Sequence, residues 1–178
     1  MYDFKFLIIG SQGLLGSNIV KILRRNKICH FTVARNKADF NTDLNDHKNL
    51  RKLFKKLKFD IVINCAGRVN IDFCEKNYSE AKKINSTLIK ILSDLSNLYN
   101  FKLVHVSTDH IYKGAKFKLN SENSKIYPIN NYAKTKILAE KYANKAKKNL
   151  IIRTNFTGRK KNSFLDILIN NIKRGKKL

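Results

Sequence analysis

Apolar residues come in short blocks, each followed by a longer stretch in which they return every three or four positions. Phe4–Ile9 is the first block, and its length suits a buried strand. Behind it, Leu15, Ile19, Ile22 and Leu23 recur at helical spacing, which predicts a helix over Leu14–Arg25. Phe31–Ala34 reads as a second short strand. Asp46 is placed to cap a helix over His47–Lys56, with Leu50, Leu53 and Phe54 on one face. Asp60–Asn64 is a third strand, and Tyr78–Tyr99 a long helix with Ile84, Leu88, Ile91, Leu92 and Leu95 inward. Lys102–Ser107 is a fourth strand, and the polar run Lys113–Pro128 an irregular loop. A helix over Asn131–Lys147, a fifth strand at Leu150–Arg153 and a last helix at Phe164–Arg174 complete the pattern.

Strands alternating with helices imply an α/β architecture. The crossovers build a doubly wound parallel sheet, Rossmann-like, with helices on both faces. No repeat, linker or low-complexity stretch divides the chain, so residues 1–178 are read as one dinucleotide-binding domain. In such a sheet, ligands bind beyond the carboxyl ends of the strands.

The first strand runs into Gly10-Ser11-Gln12-Gly13-Leu14-Leu15-Gly16. Gly10 permits the tight turn, Gly13 lets backbone N–H groups approach a pyrophosphate, and Gly16 lets the helix pack closely on the sheet. Gln12, Leu14 and Leu15 line the same turn, and the helix start adds partial positive charge. A glycine-rich turn also occurs for structural reasons alone; here the strand and helix around it are the ones a phosphate cradle needs. Where a ribose-binding carboxylate would end the second strand, the chain has Ala34-Arg35-Asn36-Lys37. Arg35 and Lys37 suit a 2′-phosphate, favouring NADP over NAD, although Arg35 also reads as an ordinary solvated cation.

Tyr132 and Lys136 stand four apart on one helix face. A phenol with an ordinary pKa near 10 is acidified by a neighbouring ammonium, and can then exchange a proton with a substrate oxygen. The fourth strand ends Val104-His105-Val106-Ser107-Thr108-Asp109, which brings Ser107 and Thr108 to the same crevice. A Ser/Thr turn after a strand is the plainer alternative.

Composition narrows the partners. The net charge is +24, which suggests a polyanion, but 29 of the 37 basic residues are Lys and 8 are Arg, spread along the whole chain. Nucleic-acid surfaces cluster their charge and favour Arg. A low-GC genome produces the same Lys, Asn and Ile excess, so nucleic acid is not the expected partner. Cys29, Cys65 and Cys74 show no metal spacing and are expected as free thiols, and no metal site is expected. No apolar run approaches the roughly 18 residues of a membrane helix, and a cytoplasmic protein is expected.

These motifs together resemble the extended short-chain dehydrogenase/reductase family, and within it the sugar-nucleotide reductases of the dTDP-4-dehydrorhamnose type. Gly10–Gly16 is similar to the family's GxxGxxG, Asp43-Leu44 to the pair that faces the adenine, and Asn64-Cys65-Ala66-Gly67 to the turn beside the cofactor. Val69–Glu75 and Asn85 also have counterparts. Ser107–Gly114 is similar to the family's STDYVFDG stretch, with His110 where the family usually has Tyr. Tyr132 and Lys136 match the catalytic pair, and Arg153-Thr154 the strand after it.

The resemblance implies a catalytic set of Thr108, Tyr132 and Lys136, and cofactor contacts from Asp43, Leu44, Cys65, Ala66, Gly67, Ser107, Tyr132 and Lys136. Hydride would pass from NADPH to C4 of a dTDP-4-keto-6-deoxy sugar, as in dTDP-rhamnose and surface-polysaccharide biosynthesis. Tyr132 would protonate the oxygen, Thr108 orient it and Lys136 tune Tyr132. Alternatives are an NAD-dependent sugar-nucleotide epimerase or dehydratase, and a non-catalytic NADP-binding regulatory subunit. A homodimer is compatible with all three. Family members run further and build the sugar-nucleotide pocket from that C-terminal region, so the substrate region is expected to be largely missing here.

Overall fold

The computed structural model describes residues 4–114, 119–156 and 169. Among these residues, six parallel strands form one sheet in the order β3-β2-β1-β4-β5-β6: β1 Phe6–Ile9, β2 His30–Ala34, β3 Phe40–Asn41, β4 Ile61–Asn64, β5 Lys102–Thr108 and β6 Asn149–Thr154. The chain winds outward from β1 in one direction through β2 and β3, then returns and winds the other way through β4. The reversal lies between β1 and β4, where Ile9 is in register with Asn64. Loops leaving the two strands diverge there and open a crevice.

The expected strands and main helices are present, with shifts at their ends. Leu7, Ile8 and Ile9 are fully buried, as a strand covered on both faces requires. Asp46 caps α2 (His47–Lys56) by accepting from Asn49 N at 3.2 Å. α2 and the segments entering β4 and β5 supply an aromatic floor: Phe54 stacks on Phe101 at 5.1 Å and meets Phe59 edge-on at 5.6 Å. It lies at the amino ends of these strands, opposite the crevice.

Several elements differ from expectation. The edge strand β3 escapes the apolar pattern because it is two residues long. The helix α3 (Ile71–Lys76) escapes because it buries little besides Cys74; Asn70 caps it, accepting from Phe73 N at 2.6 Å. The long helix expected over Tyr78–Tyr99 is α4 (Tyr78–Lys82), a π-helical turn over Lys83–Thr87, and α5 (Leu88–Tyr99). The wider turn rotates the inward face, so Asn85 and Ser86 are buried while Ile84, expected inward, is half-buried at the crevice. α6 (Asn131–Ala143) stops short of Lys147, because Asn97 holds the following turn from both sides: it donates to Lys145 O at 2.9 Å and accepts from Lys147 N at 2.8 Å. Tyr112 and Ile126 form an antiparallel bridge inside the expected loop. The helix expected at Phe164–Arg174 lies outside the described residues but for Ile169. Among the described residues no helix is long and apolar enough to cross a membrane.

Candidate active site at the carboxyl ends of the strands

Gly10 leaves β1 with φ +80°, and a Cβ there would stand 2.7 Å from Ala66 N. The turn is therefore pressed against the segment after β4. A Cβ on Gly16 would collide with Gly10 O, so α1 (Leu14–Arg25) can begin this close to the turn only with glycine. Gly13 N donates to Gly10 O at 2.9 Å, closing the turn. No side chain caps α1 and no acidic residue lies in its first turn, where Leu14, Leu15 and Gly16 sit. The positive end of the helix is thus open to an anion.

This turn forms one side of a cleft of about 620 Å³. Gly10, Gln12, Gly13, Arg35, Asp43, Leu44, Cys65, Ala66 and Gly67 all line it. Arg68 and Glu80, which sequence reasoning did not single out, and Ile84, expected in the core, add walls. Gln12 Nε2 donates to Lys37 O at 2.6 Å, tying the glycine turn to the loop that carries Arg35. Asp39, the one carboxylate in the 35–39 connection, is turned back into the sheet: its Oδ2 accepts from Thr32 N at 2.9 Å and Thr32 Oγ1 at 2.7 Å. It does not face the cleft.

Asn85 holds the far wall. Its Oδ1 accepts from Arg68 N at 2.7 Å, and its Nδ2 donates to Arg68 O at 3.1 Å and to Thr135 Oγ1 at 2.9 Å. Thr135 in turn donates to Tyr132 O at 2.7 Å. The π-helical turn is what brings this amide inward, and the segment after Gly67 is thereby fastened to the helix that bears Tyr132.

Thr108 and Tyr132 meet. The Thr108 hydroxyl bears on the Tyr132 phenol, and both side chains are buried. Thr108 Oγ1 also accepts from His110 N at 3.2 Å. His110, in the place where the resemblance has Tyr, stands edge-on to Tyr132 with ring centres 6.0 Å apart. Burial pushes the Tyr132 phenol above its ordinary value; the Thr108 bond opposes this, while Cys74 and Asp109 add to it. The expected acidification by Lys136 is not what sets this phenol. Lys136 Nζ is buried elsewhere, donating to Val106 O at 2.7 Å and standing 3.3 Å from His105 Nε2. Burial lowers the lysine to about 8, with Glu140 opposing.

Ser107 points the other way. Successive strand residues face opposite sides, and Ser107 Oγ donates to Glu140 Oε1 at 2.6 Å rather than into the crevice. Glu140 is buried and paired with Arg153, whose Nη2 lies 2.8 Å from Oε2. Arg153 Nη1 donates to Tyr112 OH at 2.6 Å and Glu122 O at 2.8 Å. Glu140 lies four residues beyond Lys136 on one helix face; a second charge on a buried face was the signal available for it.

Residues 4–178 match the family described as the RmlD substrate binding domain. The chain belongs to that family. Among its relatives, dTDP-4-dehydrorhamnose reductase of Aggregatibacter actinomycetemcomitans is 27% identical over 168 residues, covering 93% of this chain and 56% of the relative. The crystal structure of a dTDP-4-dehydrorhamnose reductase from Clostridium acetobutylicum superposes with a TM-score of 0.87 at 29% identity, over 96% of this chain and 60% of that one. The Bacillus anthracis enzyme, solved in complex with NADP, shares the fold with a TM-score of 0.86 at 24% identity, over 98% and 61%. This RmlD-family chain therefore spans somewhat more than half the length of these proteins.

Proposed function

We propose that this chain carries the cofactor-binding and catalytic part of an NADPH-dependent reductase acting on the 4-keto group of a dTDP-6-deoxy sugar, in dTDP-rhamnose and polysaccharide biosynthesis. The observation that carries the reading is the Thr108–Tyr132 pair at the carboxyl end of β5, with only β4 between it and the strand that feeds an uncapped, glycine-rich helix start. The reductase names of its RmlD relatives support the substrate class.

NADPH is the cofactor these residues fit. Asp39 is occupied by Thr32, so the loop after β2 offers no carboxylate to a ribose diol, while Arg35 stands at the cleft. The open start of α1 would hold the pyrophosphate, and the bound nicotinamide would supply the hydride. The raised Tyr132 phenol stays protonated at neutral pH, as a proton donor to a developing alkoxide must. Thr108 orients the same oxygen. Lys136 lies one helical turn behind and would hold the nicotinamide ribose.

Two measurements test this. NADPH raises the melting temperature more than NADH does, and Arg35→Ala removes the difference; equal shifts in the wild type overturn the cofactor assignment. At about 100 times Kd, the bound cofactor adds roughly 2.7 kcal/mol. With a dTDP-4-keto-6-deoxy sugar, Tyr132→Phe lowers NADPH oxidation by roughly 10²–10⁴-fold while leaving the NADPH-induced shift intact. Binding of NADPH without wild-type turnover favours the non-catalytic regulatory reading.

A further inference from the structure

Between the crevice and α6 lies a buried imidazole that the reaction above does not use. His105, in the middle of β5, has no solvent exposure. Its Nδ1 lies 3.3 Å from Asn64 Nδ2, and its Nε2 lies 3.3 Å from Lys136 Nζ. A neutral imidazole carries one N–H, so it donates from one ring nitrogen and accepts at the other. Burial and the facing lysine keep it neutral. Both of its neighbours nevertheless present nitrogen, and the hydrogen count closes in two ways.

In the first, Asn64 Nδ2 donates to Nδ1. The ring proton is then on Nε2, and Lys136 accepts it as a neutral amine while donating one of its own hydrogens to Val106 O. In the second, Lys136 is an ammonium and donates to Nε2. The ring proton is then on Nδ1, and the Asn64 amide must turn its oxygen to the ring. Asn64 Oδ1 is buried without a hydrogen-bond partner, so it is available for that turn. The first arrangement also lets Asn64 Nδ2 reach Ala66 O at 3.3 Å, in the wall of the cofactor cleft. The second gives that contact up.

We propose that His105 is the positioning residue of Lys136, holding the lysine nitrogen in both of its protonation states by exchanging ring tautomer, and so coupling the lysine's protonation state, through the turn of the Asn64 amide, to the Asn64–Ala66 contact at the cofactor cleft. Going from the charged to the neutral state, Lys136 releases one proton to water; the ring loses a proton at Nδ1 and gains one at Nε2, so one proton leaves in total. The other titratable groups bearing on Lys136 are Cys65 at the end of β4 and Glu140 one turn along α6, itself paired with Arg153 of β6. From α3, Cys74 bears on Tyr132 and Glu75 accepts from Asn131 N at 2.7 Å, both nearer the start of α6. The proposal rests on the reductase reading for its catalytic consequence, though not for the tautomer exchange itself.

The test is a pH titration of the chain labelled with ¹⁵N-histidine, reading Nδ1 and Nε2 shifts. The proton-free nitrogen of His105 should change from Nε2 to Nδ1 as the pH rises through about 8. Lys136→Met should freeze one tautomer at all pH values. Lys136→Arg, charged throughout, should hold the Nδ1–H form, and serves if the Met variant does not fold. A wild-type ring that keeps one tautomer, or an unchanged switch in either variant, overturns the proposal. Turnover with NADPH is scored separately: its absence defeats the reductase reading and leaves the titration standing, and a fixed tautomer does the reverse.

Discussion

At Tyr132 the protonation state follows from a contest. Burial disfavours the phenolate, the Thr108 hydrogen bond favours it, and burial wins, so the group is kept as an acid. His105 follows the same logic with opposite charge. Its folded value is pushed well below the ordinary 6.5 by burial first and by Lys136 second. The unfolded chain therefore binds the extra proton. The stability His105 contributes is complete above 6.5 and is lost as the pH falls below it. Urea unfolding should show wild type losing roughly 1–2 kcal/mol from this source between about pH 6.5 and 5, and His105→Gln losing less over the same range. An equal loss in both would sink the assignment. Tyr132 and Lys136 were legible as candidates because they stand four apart, and Thr108 because it ends an apolar strand. The partners of His105 and Glu140 were not: Asn64, Ser107 and Arg153 come from β4, β5 and β6, and no local pattern links them.

At the scale of elements, α1 depends on a missing side chain. Gly16→Ala drives a methyl into the Gly10 carbonyl, which is backbone and cannot swing aside. Such overpacking costs about 1–3 kcal/mol. We expect a loss of that size in chemical denaturation together with a loss of the NADPH-induced thermal shift. Wild-type stability in the variant would mean that α1 does not pack this closely on the turn. The amphipathic helices were legible by their apolar stripes. α6 was legible more by motif than by stripe, since its buried face carries Thr135, Lys136 and Glu140. The π-helical turn was not legible at all: it has no local pattern and is rare on its own, and here it accompanies the contacts of Asn85 with Arg68 and Thr135.

For the molecule as a whole, the Ser107–Glu140–Arg153–Tyr112 chain joins β5, α6, β6 and the segment after β5. Arg153→Met leaves the Glu140 carboxylate buried with a hydroxyl as its remaining partner. Removing one side of a buried pair costs about 3–5 kcal/mol, and the partial exposure of Arg153 puts the expectation at the lower end of that range. Urea midpoints for Arg153→Met and Glu140→Gln check this; a change in neither would show that the network does not bear on stability. The sequence by itself determined the alternation of strands and helices, the glycine turn and the Tyr–Lys spacing, because each is written in neighbours a few positions apart. Which way Ser107 and Asp39 point, where Lys136 is held, and what surrounds His105 were decided by the tertiary structure. Those outcomes depend on strands far apart in the chain that pair in the sheet, and on burial that only the assembled layers create.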